Sequence, residues 1–466
     1  MNDIANHYIE NIPYDALSIG QSARLVRTLA LADIAAFADM SGDINPTHVD
    51  AEYARPEHGV TAHGMWSASL ISTLLGTALP GPGTVYVEQT LHFKLPVRIG
   101  DTVTVLATVL AKDDASMRVT LACEVSNQNG ASLVSGTAVV LAPRAKVRRL
   151  ALRTPRLQRF DPQARLQALL ASVAHLAPVR CAVVHPCDRE SLRGALAAGW
   201  HGLIAPLLLG PEARLRAIAE EAGLDLHGAV FEDMPCSAAA AERAVALASD
   251  QQVEAIMKGS LHTDELMHRV LAARALRTAR RMSHVFRFDV PMYDKPLLLS
   301  DAALNICPTL EEKADIVRNA ITLAHALGVA RPRVAVLAAV ETVNTKMQST
   351  LDAAALCKMA DRGQISGAAL DGPLAFDNAV SSEAAHIKGI ESQVAGNADV
   401  LIVPDLESGN MLAKQLEYLA GATTCGVVLG ARVPIALTSR ADGSDSRVGS
   451  AVLALLLAHH QRAGKA

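Results

Sequence analysis

The stretch AHGMWSASLISTLLGTAL (Ala62–Leu79) decides the fold of the N-terminal part of the chain. Apolar residues lie all round its helical projection, which predicts a buried helix. A PGPG turn follows, and then four segments rich in Val, Thr and Leu. These segments predict strands at Thr84–Phe93, Asp101–Leu110, Met117–Ser126 and Ala131–Leu141. One buried helix with consecutive antiparallel strands predicts an α+β fold in which a sheet wraps around the helix.

A loop upstream of this helix combines an acid with a histidine. SGDINPTHVD (Ser41–Asp50) has the Gly, Asp, Asn and Pro of a tight turn, and it holds Asp43 five residues before His48. An acid and a histidine held in this way can take a proton from water and return one to carbon. Gly64 begins the helix, so its amide is free to stabilise an enolate oxygen on a thioester. Together these groups suit the addition of water to an α,β-unsaturated thioester.

The same motifs resemble MaoC-like, (R)-specific enoyl-CoA hydratases of the hot-dog fold. The resemblance covers residues 15–142, and S-G-D-x-N-P-x-H is its specific part. It implies that Asp43 and His48 are the catalytic dyad, that Gly64 is the oxyanion donor, and that Asn45 orients the loop. His63 either takes part in the substrate site or caps and packs the helix. Members of this family work as dimers or larger assemblies, so we expect a homo-oligomer, a dimer or larger, that assembles through both this domain and the C-terminal one.

From about residue 165 short apolar strands alternate with Ala-rich helices, which predicts an α/β domain with a mostly parallel sheet. The sequence therefore predicts a hot-dog domain at 1–145, a basic linker leading into a helix at 146–170, and an α/β domain at 171–466. Ligands bind beyond the carboxyl ends of parallel strands. The residues there that suit an anion or an acyl-transfer state are Thr345 and Lys346 in NTKMQST, Asp405, Gly409 and Asn410 in VPDLESGN, and Ser439 and Arg440 in LTSR.

Residues 175–460 resemble phosphate acetyl/butyryltransferases, with VPDLESGN and LTSRAD as the specific stretches. LDGPLAFDNAVS is closer to the butyryl branch. The resemblance implies exchange of CoA and phosphate on an acyl group without a covalent enzyme intermediate. Ser439 would position the thiol or phosphate, Arg440 would stabilise charge, and Arg269 would lie near the phosphate. The acetyl branch has an acid seven residues after its serine, where this chain has Ser446, so Asp442 and Asp445 remain candidates for the base.

Composition narrows the function classes. The net charge is −4 and only 3% of the residues are aromatic, which argues against nucleic-acid binding. The N-terminus lacks a signal-peptide pattern and no apolar run reaches about 18 residues, so we expect a cytoplasmic protein that does not enter membranes. The seven cysteines form no C-x-x-C pair. Free thiols, no metal and no tightly bound cofactor are therefore expected, with coenzyme A thioesters and phosphate as substrates.

The sequence thus predicts a fusion of two acyl-CoA enzymes, a hydratase and a phosphate acyltransferase. One alternative is that only the hydratase is active, with acyl carrier protein as a possible carrier of its substrate. In that case the α/β domain is a CoA-binding or assembly module.

Overall fold

The protein is described by a computed structural model at residues 8–54, 59–150, 160–439 and 442–464. The chain divides into two compact units, Met1–Arg159 and Phe160–Ala466.

The N-terminal unit is built on an antiparallel sheet in the order β2-β5-β6-β7-β3, with β4 paired to β7 and a separate β1–β8 ribbon. Its strands are β1 (Tyr8–Glu10), β2 (Ser22–Thr28), β3 (Val85–Gln89), β4 (His92–Phe93), β5 (Thr102–Asp113), β6 (Arg118–Ser126), β7 (Ser132–Leu141) and β8 (Arg148–Leu150). Its helices are α1 (Leu31–Ser41), α2 (Pro46–Val49), α3 (Ala51–Ala54) and α4 (Gly64–Thr77), with a 3-10 turn at Tyr14–Ala16.

Helix α4 packs against one face of this sheet, which confirms the hot-dog prediction. Trp66, Leu70, Ile71 and Leu74 are buried in one core with alternate residues of the central strands. The prediction of burial all round the helix is wrong, because the opposite face, with Met65 at 56% exposure, is open in this chain. A sheet covers only one side of a helix, so the other side needs a further element to cover it.

Two strand predictions also need correction. The segment predicted as one strand at Thr84–Phe93 is divided into β3 and β4. The chain leaves strand geometry between them where the Thr90 amide bonds to the Thr137 carbonyl at 2.9 Å. The edge strand β2 was not predicted, although its inward residues alternate with exposed ones.

The C-terminal unit contains one eleven-stranded sheet in the order β11-β10-β9-β12-β19-β18-β13-β14-β17-β15-β16. Its strands are β9 (Val179–Val184), β10 (Ile204–Gly210), β11 (Val230–Asp233), β12 (Ala255–Lys258), β13 (Ser283–Asp289), β14 (Leu297–Ser300), β15 (Arg333–Leu337), β16 (Ala369–Leu374), β17 (Val400–Ile402), β18 (Thr423–Leu429) and β19 (Ile435–Ala436). Pairings on both flanks are parallel, and those that join β19, β18, β13 and β14 are antiparallel. The prediction of a mostly parallel sheet is therefore confirmed.

Helices cover both faces of this sheet. They are α5 (Pro162–Val173), α6 (Arg189–Trp200), α7 (Glu212–Ala222), α8 (Ser237–Ser249), α9 (Thr263–Ala272), α10 (Leu310–Ala326), α11 (Gln348–Asp361), α12 (Phe376–Val380), α13 (Ser382–Ile387), α14 (Leu406–Tyr418) and α15 (Ser444–Arg462), with a 3-10 turn at Arg274–Leu276. Helix α15 is buried along most of its length, between the clusters that pack on the two halves of the sheet. Among the described helices, none is both long and apolar enough to cross a bilayer.

Candidate functional sites

The loop that carries Asp43 is shaped by local hydrogen bonds. Helix α1 ends at Gly42, whose φ of 74° is a left-handed conformation that glycine adopts without strain. The Asp43 carboxylate then accepts the amide of Asn45 at 3.2 Å, and the Asn45 side chain accepts the amide of Thr47 at 3.1 Å. Asn45 thus caps the short helix α2, which carries His48. These two turns explain why the motif needs both Asp and Asn.

The hydrogen bonds of two histidines define their neutral tautomers. Nδ1 of His48 donates to the carbonyl of Thr61 at 2.9 Å, so its Nε2 keeps a lone pair. Nε2 of His63 donates to the backbone carbonyl of Asp43 at 2.9 Å, so its Nδ1 keeps one. The two rings lie 4.1 Å apart between centroids. His63 is 2% exposed, and its bond to the Asp43 carbonyl ties the Asp43 loop to the start of α4.

The structure brings Asp43, His48 and His63 together. One side-chain oxygen or nitrogen atom from each lies within 4.8 Å of the other two. A single water molecule with hydrogen bonds of about 2.8 Å on each side spans such a distance. The Asp43 side chain is exposed and His48 is partly buried, so substrate and water can both reach them.

Gly64 stands beside this cluster, because it follows His63 and is the first residue of α4. The first amides of a helix have no carbonyl acceptor in a preceding turn. A Cβ at Gly64 would lie 3.2 Å from Cε1 of Phe93, so a side chain here would press on that ring. Sequence reasoning missed Phe93, whose place on β4 over the helix start becomes visible only in the folded sheet.

In the C-terminal unit, Ser439 follows strand β19 and is partly buried. Its amide donates to Oδ2 of Asp442 at 2.7 Å. Asp442 is 6% exposed and its Oδ1 is buried without a hydrogen-bond partner among the described residues. Burial raises the pKa of the Asp442 carboxyl above its usual value. Arg440, predicted to stabilise charge, lies outside the described residues.

The two acids left open by the sequence have different surroundings. Asp445 is exposed in the first turn of α15, where its carboxylate accepts Nε2 of Gln163 at 2.8 Å. Asp442, three residues after Ser439, instead accepts the backbone amide of that serine. The geometry therefore places Asp442 against the Ser439 amide and Asp445 against Gln163.

Arg447 is a residue of this site that the sequence did not single out. It is fully buried, and its guanidinium donates to Thr438 Oγ1 at 3.0 Å and to the carbonyl of Ser439 at 3.4 Å. It also donates to the carbonyl of Lys258 at 3.4 Å. Arg447 therefore ties the end of β19 to the end of β12 and holds the Ser439 backbone in place.

His284 supports the same strand end from the other side. It is fully buried on β13, and its Nε2 donates to the carbonyl of Leu437 at 3.3 Å, two residues before Ser439. Burial lowers the pKa of the His284 imidazole to about 4. The ring is therefore neutral at pH 7 and serves as a fixed hydrogen-bond donor.

VPDLESGN forms a capped helix start. Oδ1 of Asp405 accepts the amide and the hydroxyl of Ser408, both at 2.8 Å, so the group that faces these donors is Asp405's own carboxylate. Gly409 touches the neighbouring loop after β14, since a Cβ there would lie 2.7 Å from the carbonyl oxygen of Asp301. Nδ2 of Asn410 donates to the Ala302 carbonyl at 3.3 Å. The motif thus joins α14 to the end of β14.

The remaining predicted residues lie on other elements. Thr345 and Lys346 are exposed in the loop before α11, where the Lys346 amide donates to the Asn344 side chain at 2.9 Å. Arg269 lies on α9; its Nη1 donates to the Glu265 carbonyl at 2.8 Å, and its Nε lies 3.6 Å from Glu242. The contact of Lys346 lies within its own loop, and those of Arg269 lie within α9 and between α9 and α8, so they do not by themselves assign a ligand.

Each of the two units matches a known protein family. Residues 236–455 match the family described as "Phosphate acetyl/butaryl transferase", and residues 17–129 match "MaoC like domain". A phosphate acetyltransferase of Rhizobium meliloti is 57% identical over 298 residues, which cover 64% of this chain and 94% of that protein. The chain belongs to the phosphate acetyl/butyryltransferase family and carries a MaoC-like domain ahead of its transferase domain.

Solved structures give similar matches. A branched-chain phosphotransacylase from Enterococcus faecalis is 29% identical, with a TM-score of 0.54, and the match covers 60% of this chain and 99% of that one. An R-hydratase from Pseudomonas aeruginosa is 41% identical, with a TM-score of 0.32, and the match covers 33% of this chain and 100% of that one.

Proposed function

We propose that the chain is a bifunctional acyl-CoA enzyme. The N-terminal unit would hydrate a trans-2-enoyl-CoA to the (R)-3-hydroxyacyl-CoA, and the C-terminal unit would exchange CoA and phosphate on a short acyl group. The observation that carries the hydratase assignment is the closeness of Asp43 and His48, because a carboxylate oxygen and a ring nitrogen lie within 4.8 Å, a separation that one water molecule bridges. The bond from His48 Nδ1 to the Thr61 carbonyl leaves the lone pair of the neutral ring on Nε2. Membership of the phosphate acetyl/butyryltransferase family supports the transferase assignment.

For the hydratase, the two side chains share one water molecule. His48 Nε2 accepts a proton from the water as its oxygen forms a bond to C3 of the enoyl thioester. The electron pair of the double bond moves onto the thioester oxygen, where the Gly64 amide stabilises the enolate. The dyad then returns one proton to C2, so that one water is added in total. The His48 bond to Thr61 and the His63 bond to the loop hold this geometry before substrate binds.

For the transferase, Asp442 accepts the proton of the CoA thiol. The sulfur forms a bond to the acyl carbon, and the carbon–oxygen bond to phosphate breaks with its electron pair on the phosphate. The reverse reaction follows the same route. The raised pKa of Asp442 makes it a stronger base than an exposed aspartate, and its contact with the Ser439 amide sets its position. Arg440 remains the predicted source of positive charge.

Both reactions are tested on the same full-length protein. Crotonyl-CoA hydration and phosphate-dependent release of CoA from acetyl- and butyryl-CoA are measured for wild type, Asp43→Asn and Ser439→Ala. We expect Asp43→Asn to lose about 10²–10⁴-fold of the hydration rate and to keep the transferase rate. Ser439→Ala should show the opposite pattern. Asp50→Asn is a matched control, because the Asp50 carboxylate lies outside the Asp43 cluster and caps the next short helix through the amides of Glu52 and Tyr53.

The outcomes separate the alternatives. Hydration without CoA release would support the reading in which the C-terminal domain is a binding or assembly module. Loss of both activities in either single variant would contradict two independent sites. The base is tested by Asp442→Asn against Asp445→Asn: only the first should reduce CoA release, because Asp445 is exposed and bonded to Gln163.

We also propose that the hot-dog unit pairs with a second copy through strand β3. This strand lies at an end of the sheet order, and Val85, Tyr86 and Val87 on it are 56%, 39% and 41% exposed. An exposed apolar edge strand is a site for pairing with another chain. Light scattering tests this pairing by comparing the mass of the assembly formed by the wild type with that formed by Val85→Lys. A monomeric wild type would contradict the pairing.

A further inference from the structure

We propose that Asp43, His48 and His63 form a binding site for a divalent transition-metal ion, best suited to Zn²⁺, and that the bound ion inhibits the hydratase. The three residues come from the Asp43 loop, from α2 and from the residue before α4. One ligand atom from each lies within 4.8 Å of the others. Spacing along the sequence predicted no metal, because only the fold brings His63 to the other two residues.

The hydrogen bonds of both histidines are those of metal ligands. Metal-binding histidines almost always donate their second ring nitrogen to a carbonyl or carboxylate, which sets the tautomer and the ring orientation. His48 donates from Nδ1 to the Thr61 carbonyl, and His63 donates from Nε2 to the Asp43 carbonyl. In these tautomers the lone pairs lie on Nε2 of His48 and Nδ1 of His63, and we assign these two nitrogens as the ligands of the ion.

Nδ1 of His63 provides an independent observation. It is buried and has no hydrogen-bond partner among the described residues, and the residue as a whole is 2% exposed. A buried acceptor without a partner has lost its hydrogen bonds to water and gained none in return, which is unfavourable. Coordination of an ion would satisfy this atom without any change in the bonds that His63 already makes.

The donor set indicates the class of metal. Two imidazoles and one carboxylate suit zinc and its neighbours, whereas magnesium and calcium prefer oxygen ligands. Bonds of about 2.0–2.2 Å to a tetrahedral zinc ion place its ligand atoms roughly 3.4 Å apart. The distance between the two ligand atoms that lie farthest apart is at most 4.8 Å, so it must shorten by about 1.4 Å or less when zinc binds. Asp43 is exposed, and its carboxylate accepts the amide of Asn45 within a short turn, so its side chain can make this movement.

The functional consequence rests on the proposed hydratase mechanism. An ion on His48 Nε2 occupies the lone pair that accepts the proton of water, and it also engages Asp43. Hydration should therefore stop, while the transferase, whose residues lie in the other unit, continues. This difference makes the second activity of the chain an internal control for general damage by metal.

The test measures binding separately from activity. Metal-free full-length protein is titrated with ZnCl₂ by calorimetry, and with Co²⁺ by its visible absorption. We expect one site per chain in the wild type and a Kd weakened more than about 100-fold in Asp43→Asn and His63→Gln, since even outer-shell partners typically account for 10–100-fold. His201→Gln is the control, because His201 is an exposed histidine of the C-terminal unit. Retained CoA release and an unchanged circular dichroism spectrum show that each variant is folded.

The outcomes are distinct. Equal zinc binding by wild type, Asp43→Asn and His63→Gln would overturn the proposal, as would the absence of a site in the wild type. Equal inhibition of both activities by zinc would overturn the selective block and indicate action elsewhere, such as on the exposed thiols Cys236 and Cys307. Binding that both variants weaken, in a protein without hydratase activity, would support the metal site and refute the proposed hydratase function.

Discussion

His284 makes the C-terminal unit sensitive to acid. Burial lowers the pKa of its imidazole from the usual 6.5 to about 4, so between these values the unfolded chain binds a proton that the folded chain does not. Stability is therefore present above pH 6.5 and falls as the pH is lowered toward 4. Between pH 7 and pH 5 the two pKa values give a loss of about 2 kcal/mol from this residue alone.

The substitution His284→Gln tests whether this histidine causes the loss of stability at acid pH. A glutamine amide can still donate to the Leu437 carbonyl, but it does not titrate. The variant is expected to lose about 2 kcal/mol less than the wild type between pH 7 and pH 5, whatever its stability at pH 7. His284→Asn serves as a second variant if glutamine does not fit the cavity. His201→Gln, at an exposed position, should keep the wild-type dependence on pH.

Hydrogen exchange measured by mass spectrometry reports the change in stability between pH 7 and pH 5 for the C-terminal unit alone. Peptides from β13 and β18, corrected for the intrinsic exchange rate at each pH, follow the opening of the sheet around His284. A loss of 2 kcal/mol corresponds to roughly 30-fold less protection at pH 5 in the wild type. The reasoning is refuted if His284→Gln and His284→Asn lose as much protection as the wild type.

Two further substitutions test the packing around the sites. Gly64→Ala should lower hydration about tenfold and leave CoA release unchanged, because its Cβ would meet the Phe93 ring at 3.2 Å and displace the amide that we propose as the oxyanion donor; an unchanged hydration rate would contradict this role. Lys313→Met should destabilise the C-terminal unit by about 3–5 kcal/mol in urea unfolding, because it leaves the buried carboxylate of Asp352 without the ammonium that lies 2.7 Å away. Lys358→Met removes an exposed ion pair instead and should cost less than about 1 kcal/mol; equal losses would show that burial is not the cause.

The sequence by itself determined the two folds and the local turns. Strand and helix periods, the PGPG break and the alternation of strands with helices are local patterns, and they predict a sheet wrapped around a helix and a mostly parallel sheet; the family motifs identify the first as a hot dog. The Asp43 loop is equally local, since Gly42 and Asn45 shape it through bonds to residues two to four positions away. Strand β2 shows the limit of such patterns, because its alternation is only partly apolar.

The tertiary structure decided which groups meet. His63 reaches the carbonyl of Asp43 across 20 residues, and Arg447 reaches the end of β12 across 189. The choice between Asp442 and Asp445 likewise depends on burial: one is enclosed beside Ser439, and the other is exposed on the first turn of α15. Lone pairs, tautomers and shifted pKa values depend on the neighbours that the fold brings from distant segments. For this reason the residue types could be predicted from the sequence and their chemical states could not.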